Sequence, residues 1–293
     1  MKILLTGKNG QVGFELNKKL STLGELIATD SEELDLADTD AIRQFIDQTK
    51  PDIIINTAAY TAVDKAESEP DLAYQINTIA PEVLADKARE LDIPVVHFST
   101  DYVFDGLKKG AYVETDLTNP QSVYGKTKCE GEEKVRKHSK HIILRTSWVF
   151  SSHGNNFLKT ILRLAQERDS INIVNDQWGS PASASMLSHV TIQIVEMILK
   201  NKNFIEFGTY HVTNNGEINW FDFGSYIFNE ASFLGLKTKL KPENIKAVPT
   251  SEYPLPAKRP FNSRLNCEKL KKTFMLELPQ WQDEVKKVLM EII

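Results

Sequence analysis

The sequence predicts an α/β fold, a doubly wound parallel sheet with a smaller C-terminal domain. Three observations predict it. Short apolar runs alternate with helix-spaced segments through the first half, the runs are continuous rather than alternating, and a glycine-rich turn follows the first of them. Continuous runs rich in Ile, Leu and Val suit strands buried on both faces of a parallel sheet, and such strands need helical crossovers.

The runs fall at 2–6, 25–29, 52–59, 94–99 and 141–149, and the helical spacings at 11–23, 39–49, 72–91 and 122–137. Together they predict a nucleotide-binding domain over 1–150. After that the rhythm loosens: helix 156–168, strand 170–174, helix 185–200 and strand 208–213, with both later strands expected to return to the same sheet. Five of the 12 prolines crowd into 242–260, so a loop-rich stretch precedes a last helix near 281–292. Residues 151–293 are therefore expected to form mainly the smaller, ligand-binding domain.

Composition narrows the function classes. The chain has 293 residues with a net charge of -5, from 35 basic and 40 acidic side chains, which gives no footprint for nucleic acid. Two cysteines, Cys129 and Cys267, are too few for a disulfide framework or a thiolate metal site. No apolar run approaches the ~18 residues of a membrane span, and the N-terminus has no signal-peptide pattern. The expectation is a cytoplasmic protein with no membrane partner.

The first run leads into Thr6-Gly7-Lys8-Asn9-Gly10-Gln11-Val12-Gly13. In a Rossmann-type βα turn, Gly7 allows the tight bend, Gly10 lets backbone N–H groups approach a pyrophosphate, and Gly13 lets the helix pack on the strand. Asp30 closes the second run, about 20 residues on, where a carboxylate accepts from adenosine ribose hydroxyls. It also repels a 2'-phosphate, which favours NADH, while Lys8 keeps NADPH open.

Tyr124 and Lys128 stand four apart at the start of a predicted helix and so share a face. A nearby ammonium favours a phenolate, which would make Tyr124 a usable proton carrier. With eight tyrosines in a lysine-rich chain, roughly one such pair arises by accident. Topology is the stronger argument, because the fourth run ends in Ser99-Thr100-Asp101 at the carboxyl edge of the sheet, where ligands of such folds bind. Thr100 can then hold a substrate oxygen while Tyr124 exchanges its proton.

These residues, with Asn77 before the fourth run, resemble the extended short-chain dehydrogenase/reductases. Within them the chain is similar to the dTDP-4-dehydrorhamnose reductase family. The similarity is carried by GKNGQVGFEL at 7–16, AAYTAVDKAESEP at 58–70, STDYVFDG at 99–106, VYGKTK at 123–128, RTSWVF at 145–150, GNNFLKTILRLAQER at 154–168 and RPFNSRLN at 259–266.

The resemblance implies NADH- or NADPH-dependent reduction of the 4-keto group of dTDP-4-dehydro-6-deoxy-L-mannose to dTDP-L-rhamnose, with Thr100, Tyr124 and Lys128 catalytic. It implies that Gly10, Gln11 and Val12 meet the pyrophosphate, that Ala58, Ala59 and Tyr60 line the cofactor channel, and that Lys128 binds the nicotinamide ribose. For the dTDP-sugar it implies Thr100, Asp101, Trp148 and Asn156, with Arg259 and Arg264 available to the diphosphate. Some members of the family bind Mg2+ through glutamates at a homodimer interface. Glu15 and Glu291 correspond to two of these, but Ser185 stands where a third is expected, and a hydroxyl replaces a carboxylate poorly on Mg2+.

Several residues keep a structural alternative: Asp30 as a turn former, Thr100 as a β-branched strand residue, Trp148 as a core aromatic, the two arginines as surface ion pairs. Two other functions also stand open, a non-catalytic regulatory subunit resembling the methionine adenosyltransferase beta subunit, and a sugar-nucleotide epimerase or dehydratase of the same superfamily.

Overall fold

The structure is a computed structural model that describes residues 1–201 and 203–293. Its centre is a six-stranded parallel sheet of β1 (Lys2–Thr6), β2 (Glu25–Thr29), β3 (Ile53–Asn56), β4 (Val95–Thr100), β5 (His141–Thr146) and β6 (Gly208–His211), in the order β2-β1-β3-β4-β5-β6. The order reverses between β1 and β3, so their carboxyl ends diverge and open a crevice there. Strands β3 and β4 are buried along their whole length, which explains why they read as unbroken apolar runs.

Helices cover both faces. Against one lie α1 (Gln11–Asn17) and, much later in the chain, α6 (Ala184–Lys200), packing on Ile3, Leu5, Ile55 and Leu144. Against the other lie α2 (Thr39–Thr49), α3 (Ala80–Glu90) and α4 (Val123–Val135), around Leu4, Ile54, Leu84 and Ile143. Polar caps set where these helices begin. Asp38 accepts from the N–H groups of Asp40 and Ala41, and Ser122 Oγ accepts from Gly125 N at 3.1 Å.

The helix expected over 72–91 is interrupted. Residues Pro70–Tyr74 are α-helical, Gln75–Ile79 form a π-turn, and α3 follows. The widened turn aims Asn77 at the loop after β3: its amide donates to Tyr60 O at 3.1 Å and accepts from Tyr60 N at 2.9 Å.

A second core lies beyond β5, where Phe150, Leu158, Ile161, Phe223, Ile227, Trp281 and Val285 join α5 (Phe157–Glu167), α7 (Trp220–Phe233) and α8 (Trp281–Ile292). The two later strands part company here. The strand near 208–213 does return to the central sheet, as β6 beside β5. The one near 170–174 forms as Ile171–Val174 but pairs in parallel with Ile245–Val248. Its outer neighbour position in the central sheet is taken by β6, and Ile171 and Ile173 bury instead against α5 and α7. The strand expected over 141–149 divides likewise, into β5 and a two-residue strand, Val149–Phe150, that pairs with Ala182–Ser183.

Candidate active site

At the carboxyl ends of β1, β3 and β4 lies a cavity of about 710 Å³, walled by Gly7, Gly10, Gln11, Val12 and Gly13 on one side and by Thr100, Asp101, Tyr124, Lys128 and Trp148 on another. Ala58 and Ala59 also line it. The three turn glycines do different things. Gly7 holds φ at +80°, and a Cβ there would lie 2.8 Å from Ala58 N. At Gly13 a Cβ would stand 2.0 Å from Gly7 O, so the helix can pack here only without a side chain. At Gly10 the nearest atom would be Gly7 O at 3.4 Å. The fold tolerates a methyl group at Gly10, and the bare backbone there serves the cavity it faces.

Around the second strand's end the charges are mutually engaged. Asn9 donates to Asp30, Lys8 is bonded to Glu33, and Glu32 N donates to Asp30 Oδ1 at 2.9 Å. The Glu33 pairing holds Lys8 above the usual lysine value. Asp30 is not part of the cavity wall; Asn9 stands between them.

Thr100 ends β4 and caps the turn after it, with its Oγ1 accepting from Tyr102 N at 3.2 Å and donating to Asp101 Oδ1 at 2.9 Å. Asp101 is 3% exposed, and its Oδ2 has no partner among the described residues. Burial pushes its carboxyl up to about 6, against the pull of Ser263 and Thr100. Tyr124, from the first turn of α4, presents a half-buried ring to the cavity and packs edge-on to Tyr102 at 5.5 Å. Its hydroxyl lies deep, and burial holds its pKa above the ordinary tyrosine value while the Thr100 hydroxyl beside it pulls the other way. The phenol is thus kept protonated, the state a proton donor needs.

Lys128 follows one turn on, 2% exposed, donating to Phe98 O at 2.6 Å. Burial lowers it to about 8. The lysine acts on β4 rather than directly on the phenol: its neighbour is His97, whose Nε2 lies 3.3 Å from Nζ. One turn further, Glu132 is fully buried and bidentate to Arg145 of β5, at 2.8 and 2.7 Å. His97, Glu132 and Arg145 carry the site from beneath.

A second cavity of about 770 Å³ shares Thr61, Val63 and Tyr102 with the first and extends over α5 and the proline-rich 250s. Arg259 belongs to its wall, donating to Asp64 Oδ2 at 2.6 Å and lying over the Tyr102 ring. Trp148 adopts the left-handed region, φ 48°, stacks on Trp220 with centroids 3.5 Å apart and has Gly179 against its six-membered ring, so that Trp148 borders the first cavity and Trp220 the second.

Besides Asp30, three expected residues are placed differently. Asn156 caps α5, and both of its amide N–H groups are used, toward Gln11 Oε1 at 2.9 Å and Ser151 O at 2.8 Å. It joins the glycine turn to the second core and is not in the wall of either cavity. Arg264 bonds Asn262 and Glu217, away from both. Tyr60 turns its hydroxyl to Glu69 at 2.7 Å and contributes through its backbone, held by Asn77. As for the glutamates, Glu15 pairs with Lys18, Glu291 accepts from Ser152, and Ser185 is exposed. Reading the sequence did not single out Tyr102 or His97; both lie in the VHFSTDYVF segment, whose polar residues amid an apolar strand were the available signal.

Comparison with known proteins shows the family and the fold. The family model described as the RmlD substrate binding domain matches residues 1–293. A dTDP-4-dehydrorhamnose reductase of Escherichia coli K12 is 45% identical over 297 residues, covering 100% of this chain and 98% of that protein. Among solved structures, the dTDP-4-dehydrorhamnose reductase of Clostridium acetobutylicum superposes with a TM-score of 0.91 at 39% identity, covering 100% of this chain and 99% of that one. That of Bacillus anthracis, in complex with NADP, gives 0.89 at 36%, covering 99% of each. With the match running end to end and the fold shared, the chain belongs to the RmlD substrate binding domain family, that of the dTDP-4-dehydrorhamnose reductases.

Proposed function

We propose that the protein reduces the 4-keto group of dTDP-4-dehydro-6-deoxy-L-mannose, giving dTDP-L-rhamnose, with NADH or NADPH as reductant. The observation that carries this reading is the alignment of Thr100, Tyr124 and Lys128 along one cavity wall that ends at the bare backbone of Gly10.

The nicotinamide nucleotide fits the residues present. Gly10, Gln11 and Val12 offer backbone for its diphosphate, Ala58 and Ala59 leave room beside it, and Lys128 keeps an N–H for a ribose hydroxyl. When bound, it supplies hydride to the sugar's C4. The chain's own residues do the rest. Tyr124, held neutral by burial, delivers its proton to the oxygen as charge develops there, and the Thr100 hydroxyl orients that oxygen. Asp101 Oδ2, buried and unpartnered, accepts from a sugar hydroxyl. Trp148, its faces taken by Trp220 and Gly179, borders the sugar with its indole edge, and Arg259 at the second cavity meets the diphosphate of the dTDP moiety.

Asn156, which the resemblance assigns to the sugar nucleotide, and Arg264, a candidate for its diphosphate, are better read as a helix cap and a loop tie. Among the described residues no helix is long and apolar enough to cross a membrane, and we place the reaction in the cytoplasm, where nucleotide sugars are in solution. A non-catalytic subunit has no need of a proton donor set this deeply, so that reading is not favoured.

The test is purified protein with the keto sugar nucleotide and either cofactor, followed by the loss of reduced-nicotinamide absorbance. Turnover is expected, and Tyr124→Phe should lower kcat by about 10²- to 10⁴-fold while cofactor binding persists. Cofactor binding without oxidation in the unaltered protein would overturn the assignment. An epimerase or dehydratase would instead convert substrate with no net oxidation.

A further inference from the structure

Beneath the cavity a chain of buried polar groups has its hydrogen-bond directions fixed from one end. Ala58 N–H is a backbone donor and can only donate; it meets Asn56 Oδ1 at 3.1 Å, and the Thr6 hydroxyl donates to the same oxygen at 2.7 Å. The Asn56 amide is thereby oriented, because exchanging its oxygen and nitrogen would set N–H against N–H. Its Nδ2 then donates to His97 Nδ1 at 3.0 Å. A neutral imidazole that accepts at Nδ1 carries its proton on Nε2. That Nε2–H points at Lys128 Nζ, 3.3 Å away.

An ammonium has three N–H groups and no lone pair, so it cannot receive this donor. A neutral amine can: its lone pair takes the His97 N–H, one of its own N–H groups goes to Phe98 O at 2.6 Å, and the other remains for the cavity that Lys128 lines. His97 is 1% exposed and lies in the middle of β4, out of reach of bulk solvent.

We propose that His97 is a positioning residue that favours the uncharged amine of Lys128, through an Nε2–H whose direction is set by Asn56 and, behind it, by Ala58 N–H.

The remaining ionisable groups around Lys128 do not reverse this. On its own helix, Tyr124 is neutral, and Glu132, which draws Lys128 toward the ammonium, is bidentate to Arg145 on β5 and also paired with Arg136. Asp101, after β4, is itself pushed up by burial and is bonded to Thr100. Burial and the His97 donor act in the same direction on the lysine. A permanently charged Lys128 would only polarise its surroundings. One whose charge is contested can also exchange a proton, and every reduction removes one from Tyr124 that must be replaced.

The catalytic consequence rests on the proposed reductase; the charge state does not, and it is measured on the free protein without turnover. In ¹⁵N-histidine-labelled protein, long-range ¹H–¹⁵N correlation should show His97 as the Nε2–H tautomer from pH 6 to 9, its ring assigned by through-bond connection to its own backbone resonances in the unaltered protein. An Nδ1–H tautomer or an imidazolium overturns the proposal even if the variant fails to fold. In ¹³Cε-lysine-labelled protein, with Lys128→Met as the assignment control, His97→Leu should raise the Lys128 midpoint by one pH unit or more. That is at least a tenfold gain in proton affinity, and an unchanged midpoint also overturns the proposal. Loss of reductase activity with the tautomer intact would count against the proposed function alone.

Discussion

Asp101→Asn separates the energetic cost of the site from its use. Burial raises the Asp101 carboxyl to about 6 in the folded protein, against a free value of 3.8. The folded state therefore holds this proton more tightly than the unfolded chain does, and between those values folding takes up a proton. Stability contributed at low pH is lost as pH rises from about 4 to about 6 and stays lost above that. At about 1.4 kcal/mol per pH unit, the 2.2-unit difference amounts to about 3 kcal/mol. Asparagine keeps an oxygen for the Thr100 hydroxyl but sets an N–H where Oδ2 has no partner, at a cost of about 1–3 kcal/mol. That cost does not depend on pH. The variant should thus match or exceed the parent at pH 7 and fall below it at pH 4, with the difference between their unfolding free energies changing by about 3 kcal/mol across the interval. Urea unfolding of both proteins at half-unit steps from pH 4 to 8 measures this, and groups far from Asp101 cancel in the difference. A difference that stays flat with pH would refute the account of Asp101 as a carboxylate ionised at the fold's expense. Activity should fall in the same variant, since the freed acceptor is lost.

Three further outcomes follow from the same geometry. Gly13→Ala should destabilise the turn severely, since its Cβ would stand 2.0 Å from Gly7 O, whereas Gly10→Ala should fold normally and weaken cofactor binding at least tenfold; thermal unfolding and cofactor titration tell them apart. Glu132→Gln leaves the fully buried Arg145 without its counter-charge and should cost about 3–5 kcal/mol in urea unfolding, much of it recovered when Arg145→Met is added. Asp30→Ser should shift the kcat/KM ratio toward NADPH by about fivefold, the ~1 kcal/mol that two solvated charges exchange at close range; an unchanged ratio would mean that Asn9 already shields the carboxylate from the cofactor.

What could be read from the sequence follows from how local its causes are. The strands buried on both faces announced themselves, because β3 and β4 have no solvent side to impose alternation. The glycine turn did so too, since Gly7 and Gly13 answer to clashes within a few residues of chain. Partnerships made across the sheet did not. The strand Ile171–Val174 has an ordinary strand pattern, and nothing in it says whether it pairs with β5 or with Ile245–Val248; in the fold the place beside β5 belongs to β6, from residues more than 30 positions further on. Asn156 and Arg264 matched a motif, but a motif names residues without their partners, and the partners turned one into a helix cap and the other into a loop tie. The π-turn at Gln75–Ile79 was hidden for the same reason: it is fixed by Tyr60, 17 positions away from Asn77.

The tyrosine and lysine spacing gains its meaning one turn further on. Tyr124, Lys128 and Glu132 repeat at four residues on α4 and meet three successive layers of the protein: the cavity, β4 and β5. Because Glu132 is locked to Arg145 and Lys128 to Phe98 O, the helix cannot rotate or slide without breaking a buried ion pair and a buried hydrogen bond. The phenol at its first turn is therefore held in place with little contact of its own beyond Thr100 and the Tyr102 ring. This division of labour explains why the proposed proton donor makes so few bonds. A proton donor that was itself strongly hydrogen-bonded would have to break those bonds at every turnover, and here the rigidity is supplied four and eight residues away.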